Sequence, residues 1–363
     1  MRVALTGLAL SGKTSLFGAL TNHAVDSAAH PARADHPNVN MVKIPDERVD
    51  FLSDLYKSAK VVYATMELMD LPGIATGSEP GAADRPRITA HLRQADALLY
   101  CLRAFESSSV PPRKGKVDPR RDYNELRSEF FLADLEAVLR RIEKVQVSLG
   151  KNLAKKEREL VQHELELLQR CQASLEKEQP LRPLLEHPDN AALVAGFGFL
   201  TQKPVIVVLN VDEKGLRNAD AARAALAGID APVYVICAQA ESDILQLPEE
   251  ERPAFLADLG IAELTSRRLV HDIHKCLDEI TFITTGPDET RSWPVPRNST
   301  AVVAAGAIHS DLAKGFIRAE VIAYDDLHAA GSEKAVRAAG KFRLEGKEYL
   351  VKDGDILVIR FSV

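Results

Sequence analysis

The sequence predicts an α/β protein in which a mostly parallel sheet is interrupted by a helical hairpin and followed by a small α+β domain. Three observations indicate this. Short apolar runs alternate with helical or loop segments, a long charged stretch carries leucines at helical spacing, and short strands dominate near the C-terminus. A length of 363 residues allows about two or three domains.

The strands of the main sheet are predicted from short apolar or β-branched runs separated by helical or loop segments. The runs lie at residues 3–5, 66–69, 97–102, 205–209 and 233–237. Strands that are apolar throughout are typical of parallel sheets covered by helices on both faces. The sequence therefore predicts one α/β domain that is split in two along the chain.

A charged stretch at residues 128–178 separates the two parts. Apolar residues keep a three-four spacing on both sides of Gly150, which marks the predicted reversal. These residues are Leu132, Leu135, Leu139, Ile142 and Leu149, followed by Val161, Leu165, Leu168 and Leu175. We predict an inserted antiparallel hairpin; a solvated spacer and a partner-binding arm both fit this pattern.

The C-terminal part has its own pattern. Short strands are predicted at residues 282–284, 319–324, 348–351 and 356–361, with a helix at 300–308. The predicted domains are an α/β domain at 1–127 and 197–279, an inserted helical domain at 128–196, and an α+β domain at 280–363.

Charge and composition exclude several classes of protein. Lys and Arg number 46 against 52 Asp and Glu, so a net charge of -6 gives no bulk attraction to nucleic acid or to an anionic membrane. Two basic clusters are either contacts for a phosphate backbone or ordinary solvated faces. They are Arg113, Lys114, Lys116, Arg120 and Arg121, and Lys151, Lys155, Lys156 and Arg158.

Nothing in the sequence predicts secretion or membrane insertion. The four cysteines are far apart and lack a metal-binding spacing, the chain opens on an apolar strand, and no apolar run is long enough to cross a bilayer. We expect a cytoplasmic monomer that makes no membrane contact.

The segment GLALSGKT at residues 7–14 matches G-x-x-x-x-G-K-S/T between a predicted strand and a predicted helix. Its glycines let backbone N–H groups face phosphate oxygens, while Lys13 neutralises the β- and γ-phosphates and Thr14 binds Mg²⁺. The predicted contacts are Gly7, Ser11, Gly12, Lys13, Thr14 and Ser15. The alternative is an ordinary glycine turn.

A second motif, DLPG at residues 70–73, follows the predicted strand 66–69. A nucleotide domain needs an acid near the Mg²⁺ there, a role that Asp70 fits, and a glycine whose N–H reaches the γ-phosphate, a role that Gly73 fits. D-x-x-G is also a common turn. Together with the first motif, it indicates a P-loop NTPase (GTPase-like) domain, with Lys13 and Gly73 as catalytic candidates.

The base-recognition motif is predicted at residues 210–213, NVDE, where GTPases carry N-K-x-D. Glu213 replaces the aspartate that pairs with guanine, so ATP is at least as plausible a ligand as GTP. Asn210 and Asp212 also suit helix capping, which is the alternative interpretation. Cys237 and Ala238, after the next strand, are candidates for the base edge.

With these motifs placed, the chain resembles the YchF subfamily of the Obg-like P-loop NTPases from end to end. The C-terminal runs carry most of the resemblance, in the manner of that family's TGS domain. They are AGAIHSD at 305–311, KGFIRAEV at 314–321, YDD at 324–326, GK at 340–341 and GD at 354–355. Further matching runs are IPDER at 44–48, GKVDP at 115–119 and NVDE at 210–213.

This resemblance implies a β-grasp (ubiquitin-like) TGS fold, a preference for ATP over GTP, slow hydrolysis, and association with ribosomes or their subunits, for which RNA is one candidate contact. It also places Ile74 where Ras-like GTPases have a water-positioning Gln. The chain departs from the family at residues 9–11, ALS instead of Pro-Asn-Val, and at Pro112 instead of a histidine. The region 30–40 contains no threonine.

The expected function is therefore a nucleotide-dependent switch that hydrolyses ATP, or GTP, slowly and associates with the ribosome. A nucleotide-gated scaffold without hydrolysis is the alternative, since Ile74, Pro112 and the missing threonine leave no obvious general base. A small-molecule kinase is a third hypothesis, although the α/β part lacks an Arg-rich lid.

Overall fold

The computed structural model of the chain describes residues 1–22, 32–33, 36–77 and 81–362. They divide into two compact units, Met1–Asn40 with Glu67–Ser266, and Met41–Met66 with Arg267–Val363. This division puts the inserted helices in the same unit as the main sheet. It also puts residues 41–66, which the sequence assigns to the α/β domain, in the C-terminal unit. The region 30–40, in which the sequence contains no threonine, lies partly outside the described residues.

The described residues form twelve β-strands. In chain order they are β1 (Arg2–Thr6), β2 (Asn38–Lys43), β3 (Lys60–Val62), β4 (Thr65–Asp70), β5 (Ala97–Ala104), β6 (Val205–Val211), β7 (Val233–Ile236), β8 (Glu279–Thr284), β9 (Glu289–Pro296), β10 (Phe316–Ala323), β11 (Arg343–Glu345) and β12 (Asp355–Phe361).

Fifteen α-helices occur in the same residues. They are α1 (Lys13–Thr21), α2 (Glu47–Tyr56), α3 (Arg85–Gln94), α4 (Pro119–Leu149), α5 (Lys155–Leu175), α6 (Pro188–Val194), α7 (Glu213–Arg217), α8 (Ala219–Ala224), α9 (Ala238–Leu245), α10 (Arg252–Leu259), α11 (Thr265–Cys276), α12 (Ala301–Ile308), α13 (Ser310–Lys314), α14 (Tyr324–Ala330) and α15 (Glu333–Ala338).

The first sheet has the strand order β2-β4-β1-β5-β6-β7, and β1 pairs in parallel with both β4 and β5. Strands β6 and β7 continue the parallel arrangement. All five predicted apolar runs form strands of this sheet. Because parallel strands end at the same edge, the loops that follow β1, β4, β5, β6 and β7 lie at one edge, where ligands bind in such folds.

The inserted helices α4 and α5 lie antiparallel. Arg127 pairs with Glu178, and Arg141 pairs with Glu164. Residue numbers therefore rise along α4 while those of the paired residues fall, which is the pattern of antiparallel helices. Their apolar side chains share one cluster that includes Ile142. Gly150 ends α4.

Helix α4 begins at Pro119, earlier than the predicted start at residue 128. Asp118 caps it by accepting a hydrogen bond from Arg121 N, and Leu126 and Phe130 are buried in the core of the main sheet. The sequence prediction missed this first part because the leucine spacing becomes regular only later. The arm and the sheet are therefore joined by one continuous helix.

The C-terminal unit contains a second sheet with the order β11-β10-β12-β8-β9-β3. The β8–β9 hairpin is antiparallel, β12 pairs with β8 in parallel, and α12 packs on one face through Ala301, Ala304 and Ala305. This is the β-grasp fold that the family resemblance implies. Strand β3 extends it by pairing with β9, from Lys60 opposite Glu289.

One predicted strand of this unit is wrong. Residues 348–351 form no strand, and only Leu350 makes an isolated bridge, to Thr300. The Val351 N–H donates to the Ser299 carbonyl, so this segment covers the start of α12 instead of joining the sheet. Strands β2, β3, β9 and β11 were not predicted, because polar residues interrupt the apolar pattern of β2 and β9 and because β3 and β11 have only three residues each.

Candidate nucleotide-binding site

The loop between β1 and α1 has the backbone of a phosphate-binding loop. Gly12 has a left-handed conformation with φ of 85° directly before α1. A Cβ atom there would lie 2.1 Å from Asn210 Nδ2, so only glycine fits both the conformation and the space. The first N–H groups of α1 therefore stay open towards the cavity described below.

Lys13 is buried beneath this loop. Its ammonium donates to the Leu8 carbonyl at 2.9 Å and to the Gly7 carbonyl at 3.4 Å. Burial lowers the pKa of Lys13, and the nearby Cys101 and Asp70 act in the opposite direction. Two backbone carbonyls thus hold the ammonium at the loop, where the β- and γ-phosphates of a bound nucleotide need a positive charge.

Asp70 ends β4 beside the same lysine. Asp70 is 1% exposed, and neither of its carboxylate oxygens has a hydrogen bond of normal geometry from the described residues. Burial raises the pKa of Asp70 to about 6, against the opposing effects of the Lys13 charge and of weak hydrogen bonds from the Asn38 and Thr14 side chains. A buried carboxylate with such weak hydrogen bonds is costly unless a cation balances it.

These residues fit a magnesium ion. Asp70 and the Thr14 hydroxyl supply the hard oxygen atoms that Mg²⁺ prefers, and phosphate and water usually complete its shell. In the part of the chain that the structure describes, no three His, Cys, Asp or Glu side chains are grouped as a metal cage.

Gly73 and Ile74 lie directly against the phosphate-binding loop. A Cβ atom on Gly73 would come within 2.6 Å of Ala9 Cα, so glycine is required for this approach. The Ile74 N–H donates to the Gly7 carbonyl at 3.0 Å, and its side chain is buried in the core of the sheet. The apolar residue at position 74 is thus explained by packing in the core.

A cavity of about 830 Å³ opens beside the loop. Of the predicted site residues, those that line it are Ser11, Gly12, Lys13, Thr14, Ser15, Asn210, Glu213 and Cys237. Gly7, Asp70, Gly73 and Ala238 do not line it, because they lie beneath or beside the loop. The cavity has the volume typical of small-molecule sites.

Asn210 holds the walls of this cavity together. Its Nδ2 donates to the Ser11 carbonyl and its Oδ1 accepts from the Ala238 N–H, both at 3.1 Å. Asp212 accepts from the Gly215 N–H at 2.7 Å and so caps α7, as the capping interpretation expects. Glu213, in contrast, is exposed at the cavity.

The sequence interpretation missed one wall of the cavity, the segment after β5. It consists of Phe105, Glu106, Ser107, Ser109 and Val110. The Arg103 guanidinium shapes it by donating to the carbonyls of Phe105 and Val110 at 3.1 and 2.6 Å. The sequence could have indicated this wall, because the segment directly follows the predicted strand 97–102 and so lies at the edge of the sheet where ligands bind.

The two basic clusters differ in their surroundings. In the loop cluster, Arg113 and Lys114 both pair with Glu125, and Arg120 donates to the carbonyls of Ala225 and Ala227. The hairpin-tip cluster, Lys151, Lys155, Lys156 and Arg158, is exposed and forms no ion pair among the residues described. The tip cluster is therefore one exposed positive patch of the arm.

Family models match both units. The model described as a 50S ribosome-binding GTPase matches residues 2–133, and YchF-GTPase_C, described as a protein of unknown function (DUF933), matches residues 280–362. None of the described helices combines the length and apolarity of a membrane span.

Full-length relatives extend this comparison. The chain is 38% identical to the ribosome-binding ATPase YchF of Bacillus subtilis (strain 168) and 36% identical to that of Pasteurella multocida (strain Pm70). Each match covers 99% of this chain and 98% of the relative. A solved structure of the Schizosaccharomyces pombe YchF GTPase has a TM-score of 0.85 and 27% identity, covering 99% of this chain and 97% of the other. The chain, with its phosphate-binding loop, inserted helices and β-grasp unit, belongs to the YchF family.

Proposed function

We propose that this protein binds ATP with Mg²⁺, hydrolyses it slowly, and associates with the ribosome in a nucleotide-dependent way. The observation that carries the proposal is the buried Asp70 carboxylate, which has no hydrogen bond of normal geometry and lies near Lys13 and Thr14. A lysine, a hydroxyl and a buried acid at a phosphate-binding loop form a site for a magnesium-bound polyphosphate. When bound, Mg²⁺ supplies charge neutralisation between the phosphates.

The residues of the site have separate tasks in this proposal. Lys13 holds the β- and γ-phosphates, the N–H groups at the start of α1 bind phosphate oxygens, and Thr14 and Asp70 hold the metal. The Gly73 N–H lies beside the loop to sense the γ-phosphate. Because Ile74 is buried in the core, hydrolysis proceeds without a water-positioning side chain from that residue, which supports a slow rate.

The preference for ATP rests on Glu213. Both acids of the motif line the cavity, but Asp212 Oδ1 caps α7 whereas Glu213 is exposed and makes no such bond, so we assign base recognition to Glu213. We expect Glu213→Asp to shift the affinity ratio by about tenfold towards GTP, because a shorter carboxylate side chain suits the two donors of guanine. Competition between ATP and GTP for a fluorescent nucleotide measures this ratio.

The matched control is Asp220→Glu, the reverse change on the exposed helix α8, which we expect to leave the ratio unchanged. An unaltered ratio in Glu213→Asp would show that this side chain does not recognise the base. Phosphate release above a protein-free blank distinguishes slow hydrolysis from the non-hydrolysing scaffold.

The ribosome enters the proposal through the relatives, which are named ribosome-binding ATPases. Ribosomal RNA presents a dense phosphate backbone, and the hairpin tip offers exposed cations without ion-pair partners among the described residues. In the loop cluster, Arg113, Lys114 and Arg121 pair with Glu125 or Asp122, so we assign the RNA contact to the tip. On the same ground we propose that the protein acts in the cytoplasm.

Co-sedimentation with ribosomes over a salt series tests this assignment. We expect the double variant Lys155→Ala/Lys156→Ala to weaken binding and to reduce the slope of log affinity against log salt by about one per lysine. The loop variant Lys114→Ala/Lys116→Ala is the matched control and should bind as the wild type does. The opposite pattern would assign the contact to the loop.

A further inference from the structure

The segment that follows Gly73 is held by side chains from two helices. The Arg85 guanidinium, at the start of α3, donates to the Ala75 carbonyl at 3.1 Å and to the Gly77 carbonyl at 2.8 Å. The Gly77 N–H donates to Glu129 Oε1 of α4 at 3.2 Å. Backbone groups of this segment are thus bonded to charged side chains.

Arg85 and Glu129 also contact each other, with 3.3 Å between the guanidinium and the carboxylate. Glu129 is 9% exposed, so the pair is only partly screened by water. One turn earlier on α4, Glu125 pairs with Arg113, which donates to the Thr76 hydroxyl at 2.9 Å. Two acids one turn apart on α4 are therefore linked to residues 75–77, Glu129 directly and Glu125 through Arg113.

Helix α4 extends from this contact into the arm. Leu126 and Phe130 belong to the core of the main sheet, whereas Phe131 and Val138 belong to the arm's own cluster. Its 31 residues span roughly 46 Å. A displacement of residues 75–77 thus acts on the N-terminal part of α4, the helix that continues into the hairpin.

We propose that Arg85 and Glu129 are positioning residues that transmit the nucleotide state of Gly73 to helix α4 and its arm. This rests on the proposed role of Gly73 at the γ-phosphate. Movement of Gly73 towards the phosphate pulls residues 75–77, to which it is covalently joined, and changes the contacts of Glu129. A static anchor would stabilise the fold without responding to nucleotide.

The test uses Glu129→Gln in the full-length protein. Glutamine keeps an acceptor for the Gly77 N–H but removes the charge that pairs with Arg85. Hydrogen exchange of residues 74–77 and of α4 is compared without nucleotide and with saturating Mg²⁺ and a non-hydrolysable ATP analogue. Analogue affinity, kcat and KM are measured in parallel.

In the wild type we expect the analogue to change exchange in both segments. In Glu129→Gln the change at residues 74–77 should persist, the change in α4 should be lost, and kcat should alter by about fivefold or more while analogue affinity stays within about twofold. Arg85→Gln, whose side chain is 30% exposed, should reproduce this result if the first variant folds poorly.

The matched control is Glu143→Gln, an exposed acid further along α4, which should respond as the wild type does. An α4 response that survives in both Glu129→Gln and Arg85→Gln overturns the proposal, as does its loss in Glu143→Gln. Failure of the wild type to bind the analogue would refute the proposed function instead. The two failures are therefore distinguishable.

Discussion

Replacement of Lys13 by alanine is expected to lower ATP affinity by about a hundredfold, because charge-assisted hydrogen bonds to the phosphates are lost. Turnover should fall to the level of a protein-free blank. The ammonium already lies at the loop, 2.9 Å from the Leu8 carbonyl, so little rearrangement is needed for it to meet a phosphate. Isothermal titration calorimetry and a phosphate-release assay measure both quantities.

Lys203 provides a matched control for that experiment. Its ammonium also donates to backbone carbonyls, at 3.0 Å for Arg93, and burial lowers its pKa as well. It precedes β6 and so lies at the sheet edge opposite the phosphate-binding loop. Lys203→Ala should reduce thermal stability and leave ATP affinity unchanged. Equal ATP affinity in Lys13→Ala and the wild type would show that Lys13 does not bind the nucleotide.

Asp70 is expected to give ATP binding a distinctive pH dependence. Because its pKa is raised to about 6, it is ionised and able to hold Mg²⁺ above that pH and protonated below it. Affinity for ATP with Mg²⁺ should therefore be flat above pH 7 and fall by up to about tenfold per pH unit below 6. Asp70→Asn should bind ATP weakly at every pH and lack this fall in affinity below pH 6. Any pH dependence that remains in the variant comes from titration of ATP itself.

The same carboxylate should destabilise the protein without nucleotide. Because the pKa of Asp70 is higher in the folded state than in the unfolded state, the folded chain holds the Asp70 proton more tightly. The loss of folding free energy caused by the ionised carboxylate is therefore complete above pH 6 and vanishes below about pH 4. A difference of about two pKa units corresponds to roughly 3 kcal/mol. Asp70→Asn should thus raise Tm at pH 7.5 and not at pH 4. A lower Tm at pH 7.5 would show that another group already compensates the charge.

Much of the fold follows from local patterns. The five strands that build the functional edge are apolar throughout, since helices cover both faces of a parallel sheet, and such runs are visible without knowledge of their partners. Strand β2 was not predicted because its apolar residues alternate with polar ones, and strand β3 was not predicted because it has only three residues. Pairing of Lys60 with Glu289 joins residues far apart in sequence, which no local pattern shows.

The site was predictable where chemistry is tied to a fixed spacing. Lys13, Thr14 and Asp70 follow from motifs whose geometry depends on adjacent residues. The two hydrogen bonds of Asn210 depend on Ser11 and Ala238, which come from different loops, so its bracing role required the three-dimensional structure. The three-dimensional structure was also needed to identify the segment after β5 as a wall of the cavity.

We propose that Lys13, Thr14 and Asp70 together hold a magnesium-bound triphosphate. The decisive measurement is equilibrium binding of ATP to the purified wild-type protein, with Mg²⁺ and with EDTA at pH 7.5. We expect removal of the metal to weaken binding at least about tenfold in the wild type and to have little effect in Asp70→Asn. Equal affinity of the wild type under both conditions would show that these residues do not hold the metal.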